Sequence, residues 1–185
     1  MNSLVIDTAT NRTTCGLFLE GSLAFYEFHD GATEHAEALP KLVAKALSQS
    51  SKIDEVIVGM GPGPFTGLRV GIVFAQTFAT ARNIAWRGAC SLDGIDVDSD
   101  LYIVTTDARR KEVYWAKYEN GIRIKGPEVD APSSVAQLPE KKFGFGFTED
   151  LYPSLALLLA KSITSPIMEP MYLRRPDAVP TSERS

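Results

Sequence analysis

The sequence predicts an α/β fold built from a duplicated unit, and three observations lead to it. Short apolar runs ending in Asp7 and in Asp107 each open a stretch with strand character. Each stretch reaches a turn glycine after the same interval, fourteen residues from Asp7 to Gly21 and from Asp107 to Gly121. Strand patterns then alternate with helix patterns, which is the layout of sheets covered by helices.

In chain order, Leu4 to Ile6 reads as a short buried strand, Thr14 to Leu19 as a second and Leu23 to Phe28 as a third. Glu20-Gly21 supplies the tight turn of this antiparallel meander. Thr33 is a candidate N-cap for a helix that carries Leu39, Leu42, Val43, Ala46 and Leu47 at helical spacing; Pro40 is expected to kink it or to open a second helix. Lys52 to Gly59 returns as a strand, and Leu68 to Arg82 has helical character. In the second half Leu101 to Asp107 and Val113 to Tyr118 are strands, and Asn120-Gly121 is a strong hairpin signal. Ser133 to Leu138 and Pro153 to Lys161 read as short helices, Phe143 to Phe147 as a strand broken by glycine. The expected organisation is a first lobe over residues 1–95, a reduced second lobe over 96–175 and an extended tail over 176–185.

Composition narrows the function. With 185 residues, 44% hydrophobic and 23% charged, the chain can bury a substantial core. Its first residues lack the basic start of a leader, and no run reaches the roughly 20 apolar residues of a membrane span, so a cytoplasmic location without a membrane partner is expected. Cys15 and Cys90 are too isolated for a disulfide framework or a zinc knuckle and read as buried thiols. His29 and His35 are six apart with the helix start between them, so they cannot form the one-turn histidine pair of a zinc peptidase; no metal site is expected. No G-x-S-x-G nucleophile motif is present, and no catalytic residue is assigned. A net charge of −4 argues against this chain gripping a nucleic-acid backbone alone.

The most specialised stretch is GPGPFTGLR, residues 61 to 69. It lacks the lysine of a Walker loop and the spacing of a dinucleotide fingerprint. Gly61, Gly63 and Gly67 permit positive φ or close packing while Pro62 and Pro64 fix φ, so the loop is expected to be stiff. Its amides at 66–68 open a helix with Arg69 nearby, making Thr66, Gly67 and Arg69 candidate anion contacts. Between Val70 and Ala81 there is no charge. Gly71, Ala75 and Ala79 form a line of small residues; Val70, Phe74 and Thr77 form a bulkier one. One face can cover a sheet. The other is either buried in the chain's own domain or covered by a partner, and the favoured reading makes Val70, Gly71, Phe74, Ala75 and Thr77 a partner interface.

Four stretches together resemble the bacterial TsaB family in order and spacing across nearly the whole chain: Ile6-Asp7-Thr8-Ala9-Thr10, Gly61 to Arg69 with its small-residue helix, Asp107 to Tyr114, and Tyr172-Leu173-Arg174. The resemblance implies an actin-like, sugar-kinase-like (ribonuclease H-like) fold. It also implies a non-catalytic part in making threonylcarbamoyladenosine in tRNA, as partner of the catalytic relative TsaD and of the small ATPase TsaE. A homodimer is expected when the chain is alone, tRNA is met through the complex, and ATP or ADP binds only at a composite site, with no cofactor in the isolated chain. Pro64 stands where the family usually has serine, and the second lobe is shorter than usual.

By the same resemblance Asp7, Thr8 and Thr10 lie where actin-like ATPases organise magnesium and phosphate, and they join the candidate anion or nucleotide contacts. The alternative is a turn in which they hydrogen-bond their own backbone. A different class of function, a nucleotide-dependent enzyme or peptidase-like hydrolase, would need more than this. Asp107-Ala108-Arg109 has neither the small residues nor the glycine pair of a second phosphate loop.

Overall fold

Strand β1 (Ser3–Asp7) is buried along its whole length, so it has to lie in the middle of a sheet covered on both faces. A computed structural model of the chain describes residues 1–174; the expected tail over 176–185 lies outside the described residues. β1 is followed by β2 (Arg12–Leu19), β3 (Ser22–Asp30), α1 (His35–Gln49), β4 (Glu55–Gly59), α2 (Phe65–Arg82) and β5 (Ala85–Ala89). These strands form one sheet in the order β3-β2-β1-β4-β5. The first three are antiparallel, while β4 runs parallel to β1 and β5 parallel to β4.

The second half repeats this plan in a shorter form. β6 (Leu101–Asp107), β7 (Val113–Glu119), β8 (Ile122–Asp130), α3 (Pro132–Ala136) and β9 (Lys141–Gly144) give a sheet in the order β8-β7-β6-β9. β6 is antiparallel to β7 and parallel to β9, as β1 is to β2 and β4. Asp7 and Asp107 therefore end equivalent strands of a duplicated unit, the second one reduced to a single short helix before its last strand.

Helices α1 and α2 cover one face of the first sheet, where Leu39, Val43, Leu68, Ile72 and Ala75 pack on Leu4, Ile6, Val56 and Val58. The opposite face is covered by α4 (Leu155–Thr164), which follows the second sheet in the chain but packs Leu155 and Leu158 on Val5, Phe18 and Ile57 of the first. Beyond α4 the chain runs back along β5, with Ile167 N–H donating to Gly88 O at 2.9 Å and Met171 N–H to Met60 O at 2.8 Å. The lobes are also tied at the turn Leu92–Gly94, where Asp93 accepts from Tyr118 Oη at 2.9 Å and from Arg123 Nε at 2.8 Å.

Two local expectations need correction. Pro40 does not open a second helix: it lies inside α1 on the exposed side, so the Ala36 carbonyl that loses its amide partner faces water. The helix starts after Glu34 with no side-chain cap, so Thr33 is not the N-cap. Among the described residues no helix is long and apolar enough to cross a membrane.

Candidate functional site: the cleft between the lobes

The ends of β1 and β6 face the space between the lobes, and both aspartates close the same turn. Ala9 N–H donates to Asp7 Oδ1 at 3.0 Å, and Arg109 N–H donates to Asp107 Oδ1 at 2.7 Å. Their surroundings differ. Asp107 is partly open and also meets the Arg109 guanidinium at 3.1 Å. Asp7 is 1% exposed and accepts the Ser91 hydroxyl at 2.6 Å. Burial pushes its carboxyl up to about 6, against the opposing pull of the bonds from Ser91 and Ala9. Thr8 is sealed too and donates its hydroxyl to Gly67 O at 2.8 Å. Asp7 thus makes a local turn contact through Ala9, whereas Thr8 bonds the start of α2 across the fold and not its own backbone. Thr10 accepts from Arg12 N–H at 3.2 Å and lies in a separate crevice with Thr106, Asp107 and Asp150.

The glycine-rich loop serves this brace. Gly61 has φ +90°, which favours glycine, and it precedes a cis bond to Pro62. At Gly67 the constraint is space instead: a Cβ would stand 2.9 Å from Thr8 O and 3.0 Å from the His35 ring. Gly63 abuts the Ala9 backbone, and Gly71, one turn further along α2, abuts the Thr8 hydroxyl in the same way. Small residues here let the start of α2 press against the turn after β1. Tyr114 Oη, reaching over from the second lobe, donates to Gly63 O at 3.2 Å.

In front of this loop lies a cavity of about 480 Å³, lined from the first lobe by Thr33, Pro64, Phe65, Thr66 and Gly67. The second lobe contributes Arg109, Arg110 and Tyr114, and the returning chain adds Tyr172 and Arg174. Thr66 and Gly67 are thus at the cleft. Arg69 is not: it is exposed on α2 with its guanidinium 5.2 Å from the Phe65 ring centroid. Arg110, Tyr114 and Arg174 were within stretches that the sequence marks out, but their convergence depends on the hairpin of the second lobe and on the returning chain.

Other reactive side chains are structural. Burial pushes both the Cys15 and Cys90 thiols up to about 12. His35 is buried against the Thr13 hydroxyl at 2.8 Å, and His29 pairs with Glu34 at 2.6 Å near the surface. Among the described residues no three His, Cys, Asp or Glu side chains gather as a metal site would require.

On α2 the predicted interface set splits. Thr77 is exposed, and Val70 and Phe74 are half-buried. Gly71 and Ala75 instead face the sheet, because only small residues fit the close approach to β1 and its turn. Val73, outside that set, is the most open large apolar side chain of the helix, at 51% exposed.

Comparison with known proteins agrees with this architecture. The family model described as TsaD, tRNA N6-adenosine threonylcarbamoyltransferase, matches residues 29–159. An uncharacterised protein of Mycobacterium tuberculosis is 40% identical over 96% of this chain and 93% of its own length. Another, from Mycobacterium leprae, is 40% identical over 96% of this chain, which spans 56% of that protein. The Escherichia coli tRNA threonylcarbamoyladenosine biosynthesis protein TsaB is 33% identical over 71% of this chain and 62% of its own length. Among solved structures, a Pseudomonas aeruginosa protein described as similar to the peptidase YeaZ superposes with a TM-score of 0.76 at 21% identity, covering 94% of this chain and 99% of that one. YeaZ of the same organism superposes at 0.72 and 23% identity, over 89% and 92%. The two lobes, built on one repeated strand order, have the actin-like fold, and the chain belongs to the TsaB family within the wider group that the TsaD model describes.

Proposed function

We propose that the chain takes part in tRNA threonylcarbamoyladenosine biosynthesis as a non-catalytic subunit that binds and activates a TsaD-type catalytic relative. The exposed strip of α2 carries this reading. Val73 and Thr77 stand open to solvent, half-buried Val70, Phe74 and Phe78 flank them, and no charge interrupts residues 70–81. A surface helix with no partner ordinarily has a polar outer stripe. A homodimer through this strip is the state of the isolated chain, and the strip is given over to the catalytic relative in the complex. TsaE joins that pair, ATP or ADP belongs to a composite site, and tRNA is held mainly by the partners.

The sealed Asp7 supports the non-catalytic part, because a carboxylate already bound to Ser91 and Ala9 cannot reach a metal–nucleotide without opening the brace. The test is co-purification of the chain with its TsaD-type relative, and of a Val73→Glu variant that should fold and fail to pair. Retention of full pairing by that variant would remove α2 from the interface.

The second reading, a nucleotide-dependent enzyme, is favoured by one observation, the arginine-lined cavity between the lobes. Turnover of ATP by the isolated chain, lost in Asp7→Ala, would establish it; no turnover above buffer is expected. A peptidase-like hydrolase gains no support from Ser91, whose hydroxyl is buried and paired with Asp7.

A further inference from the structure

We propose that the open edge of β3, with the groove beside it, docks an extended segment of a partner protein, one that alternates apolar residues and carries a basic side chain. Of the other sheet edges, that of β5 is taken up by the returning chain, where Ile167 pairs with Gly88. β9 is only four residues long and starts on Lys141 and Lys142. β8 is as long as β3, but it carries Lys125 and Pro127, and its register on β7 shifts twice. Short length, lysine, proline and broken register are the means by which a sheet edge is kept from pairing. β3 uses none of them over most of its length. It holds no lysine, arginine or proline, and Phe25 to Asp30 pair with Leu17 to Arg12 without a break.

The titratable side chains of β3 do not guard that edge either, since those near its C-terminal end are tied to their own lobe. Glu27 pairs with Lys45 of α1, Asp30 with Arg12 of β2, and His29 bonds Glu34 at 2.6 Å. Among the described residues no strand lies beyond β3. The backbone groups on the outer side of an edge strand lack a ladder partner, so an added strand gains hydrogen bonds there without displacing any.

The chemistry of the segment follows from the sheet face beside the edge. Two helices cover the other face, but on this one α4 packs on Val5, Phe18 and Ile57 and leaves Leu23 and Tyr26 54% and 48% exposed. An extra residue at Ala24 brings Leu23 onto the face of Tyr26. With Leu151, Pro153 and Leu155 these two line a groove of about 540 Å³. Side chains on one face of an extended segment recur every second residue, so alternate apolar residues of a strand beside β3 fall toward this groove. Two charged residues line it, and Arg12 is already spent: its guanidinium bonds Asp30 at 2.7 Å and lies 3.7 and 3.8 Å from the ring centroids of Phe28 and Tyr152. Asp150 is exposed and has no ion pair among the described residues. A carboxylate left alone in an apolar groove selects a lysine or arginine.

The experiment follows a dye-labelled synthetic peptide of about ten residues, alternating valine and threonine with lysine at both ends, by fluorescence anisotropy as the full chain is added. Saturable binding below millimolar concentration is expected, with slower amide exchange along β3. Proline in place of the central threonines removes ladder donors, and glutamate in place of the lysines reverses the charge; each peptide should bind at least tenfold more weakly. In the chain, Tyr26→Lys and Asp150→Lys should each weaken the first peptide about tenfold, and both side chains are exposed, so the fold should survive. Asp150 lies outside β3, which keeps the charge test apart from the strand itself. Val73→Glu should bind the peptide like the parent, because α2 covers the opposite face. The proposal is overturned if no binding saturates, if the proline or the glutamate peptide binds as tightly as the first, or if either lysine variant binds like the parent. It is also overturned if Tyr26→Lys abolishes a self-association that Val73→Glu leaves intact, since the edge then belongs to a second copy. Because no TsaD-type relative is present, these outcomes are separate from those of the pairing experiment.

Discussion

The Ser91 hydroxyl donates to the Asp7 carboxylate across 2.6 Å, joining the end of β1 to the turn after β5. Both side chains are shut off from water, and the same hydroxyl accepts Gly61 N–H at 3.3 Å. One small polar cluster thus fixes three segments at the base of the cleft.

Stability should therefore fall with rising pH across a defined window. Burial raises Asp7 from 3.8 to about 6. Between those values the folded chain binds more protons than the unfolded one, so this group's contribution is full below about 3.8 and declines as pH rises through about 6. The loss is on the order of 3 kcal/mol once both states are ionised. Asp7→Asn keeps the acceptor for Ala9 N–H and cannot ionise. In urea unfolding it should lack this part of the pH dependence and exceed the parent's stability near ~pH 7.5. Equal slopes for the two proteins between about pH 4 and pH 7 would count against a buried, titrating Asp7.

A second prediction separates space from backbone conformation at α2. A Cβ on Gly71 would stand 2.4 Å from Thr8 Oγ1, so Gly71→Ala is expected to destabilise by about 1–3 kcal/mol. Thr8→Ala loses its bond to Gly67 O, at a cost of about 1 kcal/mol, but it empties the place that the new methyl needs. The double variant should thus be more stable than the two single losses added together. Strict additivity in denaturant unfolding would mean that the helix does not rest on Thr8.

The repeated unit was legible in the sequence because its signals are local: an apolar run, an aspartate, and a glycine turn at a fixed distance. The bracing role of GPGPFTGLR was only partly legible. Stiffness follows from Pro62 and Pro64, but the reason for Gly63 lies in Ala9 and that for Gly71 in Thr8, each more than fifty residues away. β5 escaped the reading because Ala85–Ala89 carries an arginine and a glycine among its five residues and owes its strand form to pairing with β4. The return of α4 to the first sheet had no local signal, since an apolar helix face does not say which sheet it will cover. The same limit hid the cleft's lining, to which Arg110 and Arg174 come from separate parts of the chain.

A third prediction concerns the tie between the lobes. Asp93 is buried and takes bonds from Tyr118 Oη and from Arg123, which is partly open to solvent. Tyr118→Phe removes one neutral donor and should cost about 1 kcal/mol. Arg123→Ala leaves the carboxylate with no cation and should cost about 2–4 kcal/mol, a figure kept below the fully buried range because the arginine is partly hydrated. Thermal melts with hydrogen exchange of β7 and β8 would check both. Similar losses for the two variants would show that the ion pair adds nothing beyond a hydrogen bond.

The last prediction follows from the two sides of α2. Val73 is 51% exposed, Phe74 is half-buried against Phe78 at 5.8 Å, and Ala75 is fully buried on the sheet. A glutamate at these three consecutive positions meets water, a boundary and the core in turn. Val73→Glu should stay within about 0.5 kcal/mol of the parent. Phe74→Glu loses part of an aromatic contact and should cost about 2–3 kcal/mol. Ala75→Glu places an unpaired charge in the core and should leave the chain unfolded, because the penalty of several kcal/mol consumes most of a small domain's stability. Circular dichroism under urea ranks the three, and analytical ultracentrifugation reads association for those that fold. The expected result is a Val73→Glu chain with parent-like stability that sediments as a monomer under conditions in which the parent self-associates. If it unfolds, α2 is covered by its own chain; if it folds and still associates, the charge-free strip is a bare surface and the contact between copies lies on another face.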